Sequence, residues 1–211
     1  MLEPGFARQW YPDIDPVHGY DHVLRVYAMA EKLALAEGAD LEIVRAAALL
    51  HDAVGAEPES ASGRAEHHHA SAEFAAGVLR QEGWSEDRIR AVQHCIRAHR
   101  YRSTEAPQTL EARVLFDADK LDVLGAIGAA RTIAYAAQAG QPIFAYPSAH
   151  FLATGKVEPG EPHSSYHEYL FKLRRVKERL TTPSALAIAA ERDHFLETFY
   201  AQLAAEVQGL R

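Results

Sequence analysis

Ala46-Ala47-Ala48-Leu49-Leu50-His51-Asp52 is an unbroken apolar run that ends in an imidazole and a carboxylate. Adjacent side chains on a helix point about 100° apart, so His51 and Asp52 can both reach one ion lying against the end of that helix. The bland alternative makes His51 a satisfied core histidine and Asp52 a helix-end residue. The pair alone does not choose between them, because short motifs recur by chance.

Two other interruptions of apolar faces change the weighing. In the run that begins near Pro16, His22 shares a face with Val26, Met29 and Leu33, where an unpaired polar group would be costly. In Asp117-Ala118-Asp119-Lys120-Leu121-Asp122, Asp119 lies one turn after Leu115 and one before Val123. Two imidazoles and two carboxylates from three helices make a mixed nitrogen and oxygen site suited to a divalent first-row metal, with positions left for water and substrate.

Composition sets the frame. The 211 residues are 48% hydrophobic and 24% charged, as in ordinary globular proteins, and the length suits about one domain. A net charge of −7 and a pI near 5.9 disfavour a broad basic face for long nucleic acid. A small anionic substrate held by local cations stays allowed. The one cysteine, Cys95, forms no internal disulfide and reads as helix packing, which suits a reducing compartment. No basic segment followed by an apolar run marks a leader, and no apolar stretch approaches the ~20 residues of a membrane span. The expected location is the cytoplasm, without a membrane.

Apolar spacing of three and four predicts helices almost throughout. One starts near Pro16 and closes at Gly38; Asp40 caps the next, Leu41 to Val54; Gly55 to Gly63 reads as a loop. Helices follow over Glu66 to Gln81, from Ser85 to about His99, and over Leu110 to Val123. Gly140 to Pro162, with four prolines and several aromatics, reads as a long irregular loop that covers the substrate side or meets a second subunit, as in a homodimer. Helices over Ser165 to Leu180 and Ser184 to Val207 complete a single helical domain spanning 1–211, with Pro183 at the first turn of the last.

With these residues in hand, the chain resembles the HD-domain metal-dependent phosphohydrolase superfamily. The pattern is a histidine on an early helix, a His-Asp pair ending a later one, and a distant aspartate. His22-Val23-Leu24-Arg25-Val26, Ala48-Leu49-Leu50-His51-Asp52 and Asp117-Ala118-Asp119-Lys120-Leu121-Asp122 match in turn. Gly125-Ala126-Ile127-Gly128 and the segment from Thr181 to Phe195 resemble a bacterial subgroup of small HD hydrolases.

The resemblance implies an all-α HD-type bundle and one divalent metal (manganese, magnesium, cobalt, iron, nickel or zinc) on His22, His51, Asp52 and Asp119. It also implies a small phosphorylated substrate of the nucleotide class, including nucleoside triphosphates cleaved to monophosphate and pyrophosphate. Some two-metal relatives carry a histidine near the start of the following helix and another near the place of His94 or His99, so a second metal is conceivable. Many relatives have an acidic residue after the glycine that follows the His-Asp pair; here Gly55 is followed by Ala56, with Glu57 nearby.

Around the metal, Arg25, Arg64, His99 and Lys120 are candidates to meet a phosphate, against a plain reading as solvated or helix-end cations. Asp52 and Lys120 are the catalytic candidates: Asp52 as the ligand also touching the attacking water, Lys120 as a charge on the substrate. Asp117, Asp122, Asp21 and His18 could orient neighbouring ligands or cap helices. In His67-His68-His69, His68 and His69 read as topping a solvent-facing helix end. No serine or cysteine with a partner base stands out, so attack by a metal-activated water is the economical chemistry. A non-catalytic nucleotide-sensing module and a purely structural helical protein are the competing classes.

Overall fold

The computed structural model describes residues 2–11, 19–54, 63–100 and 105–210, and the side chains of all of these except 63–66. Every regular element among them is helical. None is long and apolar enough to cross a membrane. The chain forms two compact units, Met1–Lys120 with Leu180–Ala185, and Leu121–Arg179 with Leu186–Arg211.

The first unit opens with a helical turn, α1 (Pro4–Ala7), and a 3-10 turn (Arg8–Trp10), and continues through α2 (Tyr20–Glu37), α3 (Leu41–Leu50), α4 (Gly63–Gln81), α5 (Glu86–Ala98) and α6 (Leu110–Leu121). Gly38 ends α2 in the left-handed region, its N–H and that of Ala39 both donating to Ala34 O, an ending that glycine adopts without a Cβ penalty. Asp40 then caps α3 by accepting from the N–H groups of Glu42 and Ile43. It also receives both arms of the Arg88 guanidinium from α5, at 3.0 and 3.2 Å.

Helix α3 packs against α2 and α5, and α5 against α4. Leu33, Leu49, Leu50, Leu79, Ile89 and Ile96 on these helices are fully buried, each stabilising the fold by about 1.5–3 kcal/mol. Cys95 is buried in this packing. Burial raises its thiol pKa, which fits a structural residue better than a reactive one.

Helix α6 is tied to residues 180–185 by one carboxylate. Asp117, fully buried, accepts from Thr181 N at 3.1 Å, Thr182 N at 2.7 Å and Thr182 Oγ1 at 2.7 Å. The expected role of Asp117 beside the metal ligands gives way to this one, because its oxygens are taken by the chain segment ahead of the last helix.

The second unit contains α7 (Gly125–Gln138), α8 (Ala149–Thr154), α9 (Ser165–Phe171), a 3-10 stretch (Leu173–Arg179) and most of α10 (Pro183–Val207). Gly125 has φ +71°, and a Cβ on Gly128 would stand 2.2 Å from the Val123 carbonyl oxygen, so both positions require glycine. Asp122 pairs with Arg131 at 2.6 Å.

Several sequence expectations are corrected. The segment Gly140 to Pro162 is not wholly irregular, since α8 lies inside it. Ser148 caps α8, and Glu161 accepts from Ser148 N, Ser148 Oγ and Glu158 N at 2.6, 2.8 and 2.7 Å. These bonds pull the Glu161 carboxyl down to about 2. The loop aromatics have partners of their own: Phe144 stacks on Tyr166 at 4.8 Å and Phe151 meets His167 at 4.5 Å.

Ser164, His167 and Glu161 form a hydrogen-bonded row, but Ser164 is buried and its Oγ caps α9. The row is a clamp and not a nucleophile. The helix expected over Ser165 to Leu180 is α-helical only to Phe171 before it tightens. Helix α3 stops at Leu50 and α6 at Leu121, short of Val54 and Val123, and α7 was not anticipated as a helix. The start near Pro16 and residues 55–62 of the expected loop lie outside the described residues, and α4 begins at Gly63 instead of Glu66.

Removing the Asp117 carboxylate in Asp117→Ala leaves the buried Thr182 donors, and the Thr181 N–H beside them, unpaired. We expect a loss on the order of 2–3 kcal/mol in urea unfolding. An unchanged midpoint would mean that residues 180–185 are held by other contacts.

Candidate metal centre

Four imidazoles and two carboxylates of the first unit converge where α3 ends. His51 is the residue after α3, and its Nδ1 donates to Ala48 O at 2.8 Å. That bond fixes the ring and leaves Nε2 pointing into the cluster, the usual way a backbone carbonyl orients a metal-binding imidazole. His99, just past α5, is fixed in the same way through Nδ1 to Ile96 O at 2.5 Å. His22 enters from the first turn of α2, His67 from α4, and Asp119 from α6. His22, His51 and His99 are each no more than 4% exposed.

Asp52 is the centre of the arrangement. Its Oδ2 stands 3.5 Å from His51 Nε2 and 3.9 Å from His22 Nε2. Its Oδ1 stands 3.3 Å from His67 Nε2 and 3.5 Å from His99 Nε2. The His22 and His51 Nε2 atoms are 3.4 Å apart, and Asp119 Oδ1 lies 3.4 Å from His22 Nε2.

Ligands about 2.1 Å from a shared ion stand ~3.0–3.4 Å from one another in octahedral or tetrahedral geometry, close to these spacings. The donors make two triads, His22–His51–Asp52 and Asp52–His67–His99, each with its ligand atoms within 4.8 Å of one another. Asp52 belongs to both.

The electrostatics follow from burial. Desolvation alone would raise the Asp52 pKa. The positive potential of His51 and the closeness of the His67 and His99 imidazoles instead hold it well below the usual carboxylate range. For Asp119, burial is likewise outweighed by the Lys120 ammonium, then by His22, His99 and His51. Burial lowers the pKa of His99 against the pull of Asp52, which favours the neutral imidazole that a metal requires.

Asp52 Oδ1 is also a buried oxygen without a well-formed hydrogen bond. An unsatisfied carboxylate oxygen facing two imidazole nitrogens fits a cation site. The two carboxylates together carry the charge that one divalent ion neutralises.

The remaining expected residues fall as follows. Lys120 Nζ lies 2.5 Å from Asp119 Oδ2 and 5.3 Å from the Phe116 ring centre. Its side chain is 11% exposed, so the ammonium sits at the edge of the cluster. Arg25 pairs with Asp21 one turn earlier at 2.5 Å. His99, expected on the substrate or at a second metal, stands among the candidate donors, 3.5 Å from Asp52 Oδ1. The Arg64 side chain, His18 and Glu57 lie outside the described residues.

His69 is exposed, but His68 is 5% exposed with Nδ1 unpartnered, so its reading as a solvent-facing residue is corrected. Burial and the neighbouring His69 and His67 lower its pKa to about 4. His67, near the start of the helix that follows the His-Asp pair, falls where a second-metal histidine was conceivable, and Tyr11 is an addition to the site. The Tyr11 hydroxyl donates to Leu49 O at 2.8 Å. Its pKa is raised by burial and then by the nearby Asp52 charge.

The HD-domain family model matches residues 19–124. The chain belongs to the HD-domain family, a family that implies a bound divalent metal, and the donor cluster fits one. It is 28% identical over 198 residues to the uncharacterized protein YpgQ of Bacillus subtilis, covering 92% of this chain and 86% of that one.

Among solved structures, it resembles B. subtilis YpgQ in complex with ADP at 25% identity and a TM-score of 0.75, covering 99% of this chain and 100% of the other. A Lactobacillus plantarum protein superposes at 27% identity and 0.74, over 99% and 100% of the two chains. An HD-superfamily hydrolase from Bacillus thuringiensis does so at 27% and 0.71, over 97% and 94%.

Asp52→Ala removes the shared carboxylate and is expected to abolish stoichiometric metal binding, as is His51→Ala, with helical circular dichroism largely retained. Plasma mass spectrometry of protein purified without chelator or affinity tag reads this directly. Full metal content in either variant would refute the ligand assignment.

Proposed function

We propose that the chain is a phosphohydrolase in which His22, His51, Asp52 and Asp119 hold a divalent ion and a small phosphorylated substrate, of the nucleotide class, is cleaved at a phosphate ester or phosphoanhydride bond. The observation carrying this reading is the buried convergence of imidazole and carboxylate donors on Asp52, in a chain whose family includes hydrolases. The nucleotide class draws support from YpgQ, a relative solved with ADP, and nucleoside triphosphate cleavage to monophosphate and pyrophosphate falls within it. The same proposal takes residues 1–211 as one HD-type domain, supported by structural relatives that align over nearly the whole chain.

A bound divalent ion supplies a water of lowered pKa and a Lewis acid for a phosphoryl oxygen. The protein's own groups do the rest. Asp52, with an oxygen toward each histidine pair, is positioned to accept a hydrogen bond from the attacking water. Lys120, beside Asp119 and nearly out of solvent, is the local cation for the non-bridging phosphate oxygens and for charge that develops on them.

His67 and His99 flank the other Asp52 oxygen, where they can take a second ion or donate to phosphate oxygens. Metal content separates these roles, two ions per chain against one. In this account Arg25, paired with Asp21, and Arg64 contribute to substrate binding.

A screen of nucleotides and general phosphatase substrates with manganese, magnesium or cobalt should reveal turnover. Binding without turnover under every metal would favour the nucleotide-sensing alternative. For the substrate that turns over, Lys120→Ala should lower kcat and kcat/KM together by on the order of 10²-fold at unchanged metal content. Loss of metal in that variant would mean that Lys120 serves only to hold Asp119.

A further inference from the structure

Away from the metal centre, the first unit carries a cavity of about 420 Å³ between the N-terminal turns and α4. Phe6, Trp10 and Phe74 line it in sequence. Phe6 and Trp10 meet edge-on at 5.3 Å and 84°, and Trp10 and Phe74 at 5.4 Å and 81°. The three rings thus stand edge to face in turn along one side of the cavity. Glu73, whose Oε1 accepts from Gln93 Nε2 at 3.1 Å and leaves its second oxygen for a ligand, and Glu82 also line the cavity, and none of its lining residues is lysine, arginine or histidine.

The lining of α4 includes Gly77, in mid-helix. A glycine there weakens the helix relative to alanine, and close packing does not call for it, since a Cβ at Gly77 would have nothing within 4 Å. What the missing side chain does is leave this wall of the cavity open. An open wall, three aromatic rings and an all-acidic charge complement together match one ligand chemistry.

We infer that the Phe6–Trp10–Phe74 cavity binds a small organic ammonium ion, held by cation–π attraction to the rings and by the Glu73 and Glu82 carboxylates. This site is separate from the hydrolytic reading and stands or falls without it.

The probe is choline, compared with its neutral carbon isostere 3,3-dimethylbutan-1-ol. Saturation-transfer NMR on the unaltered, metal-loaded protein is expected to show saturable choline binding at least tenfold tighter than the isostere. Gly77→Leu, which projects a side chain into the cavity, should weaken choline binding at least tenfold while leaving metal content unchanged. Should that variant fold poorly, Glu73→Gln with Glu82→Gln serves instead, and is expected to bring choline down to the affinity of the isostere. Equal binding of the two probes would overturn the inference, as would no saturable choline binding, or binding that survives these variants.

Discussion

Asp52 poses the electrostatic problem around which the first unit is built. A carboxylate taken out of water is costly unless cations or strong donors meet it, and here imidazoles face both of its oxygens. His51 and His22 lie on one side, His67 and His99 on the other. Asp119 adds a second buried negative charge beside His22, offset in part by Lys120. A divalent cation relieves both carboxylates at once and lets the histidines stay neutral. Metal affinity and fold stability are therefore coupled: an ion that binds only the folded arrangement stabilises it by mass action.

The scaffold brings these groups together by simple means. The apolar run of α3 buries its length against α2 and α5, and the chain must turn as soon as that run ends. His51 and Asp52 fall in the turn, where backbone carbonyls released from helical pairing can fix imidazole rings. Ala48 O does so for His51 and Ile96 O for His99. Helix ends thus position the donors, while helix interiors supply packing. Asp117, two residues before Asp119, holds α6 to the segment ahead of the last helix by accepting from Thr181 and Thr182.

His22, His51, Asp52 and Asp119 could be read from the sequence because each interrupts an apolar stripe, and a buried polar group without a purpose is expensive. His67 could not be read that way. Three successive histidines carry no periodic cue, and the facing of α4 against α5 decides that His67 meets Asp52, His68 is buried and His69 is exposed. Helix α7 was missed because Gly125 and Gly128 look like breakers. One supplies a positive φ and the other makes room for the Val123 carbonyl. Helix α8 was hidden by surrounding prolines, its stability coming from the Ser148 cap and the Glu161 clamp, a contact 13 residues apart that no local pattern announces.

The central claim is that a divalent ion sits on the His22 and His51 side of Asp52, with Asp119 as a further ligand. Anomalous diffraction at the manganese edge, from crystals of the manganese-loaded protein, tests it most directly. The account predicts an anomalous peak within bonding distance of His22 Nε2, His51 Nε2, Asp52 and Asp119. No peak in this cluster, or one bonded to none of those four residues, would contradict it.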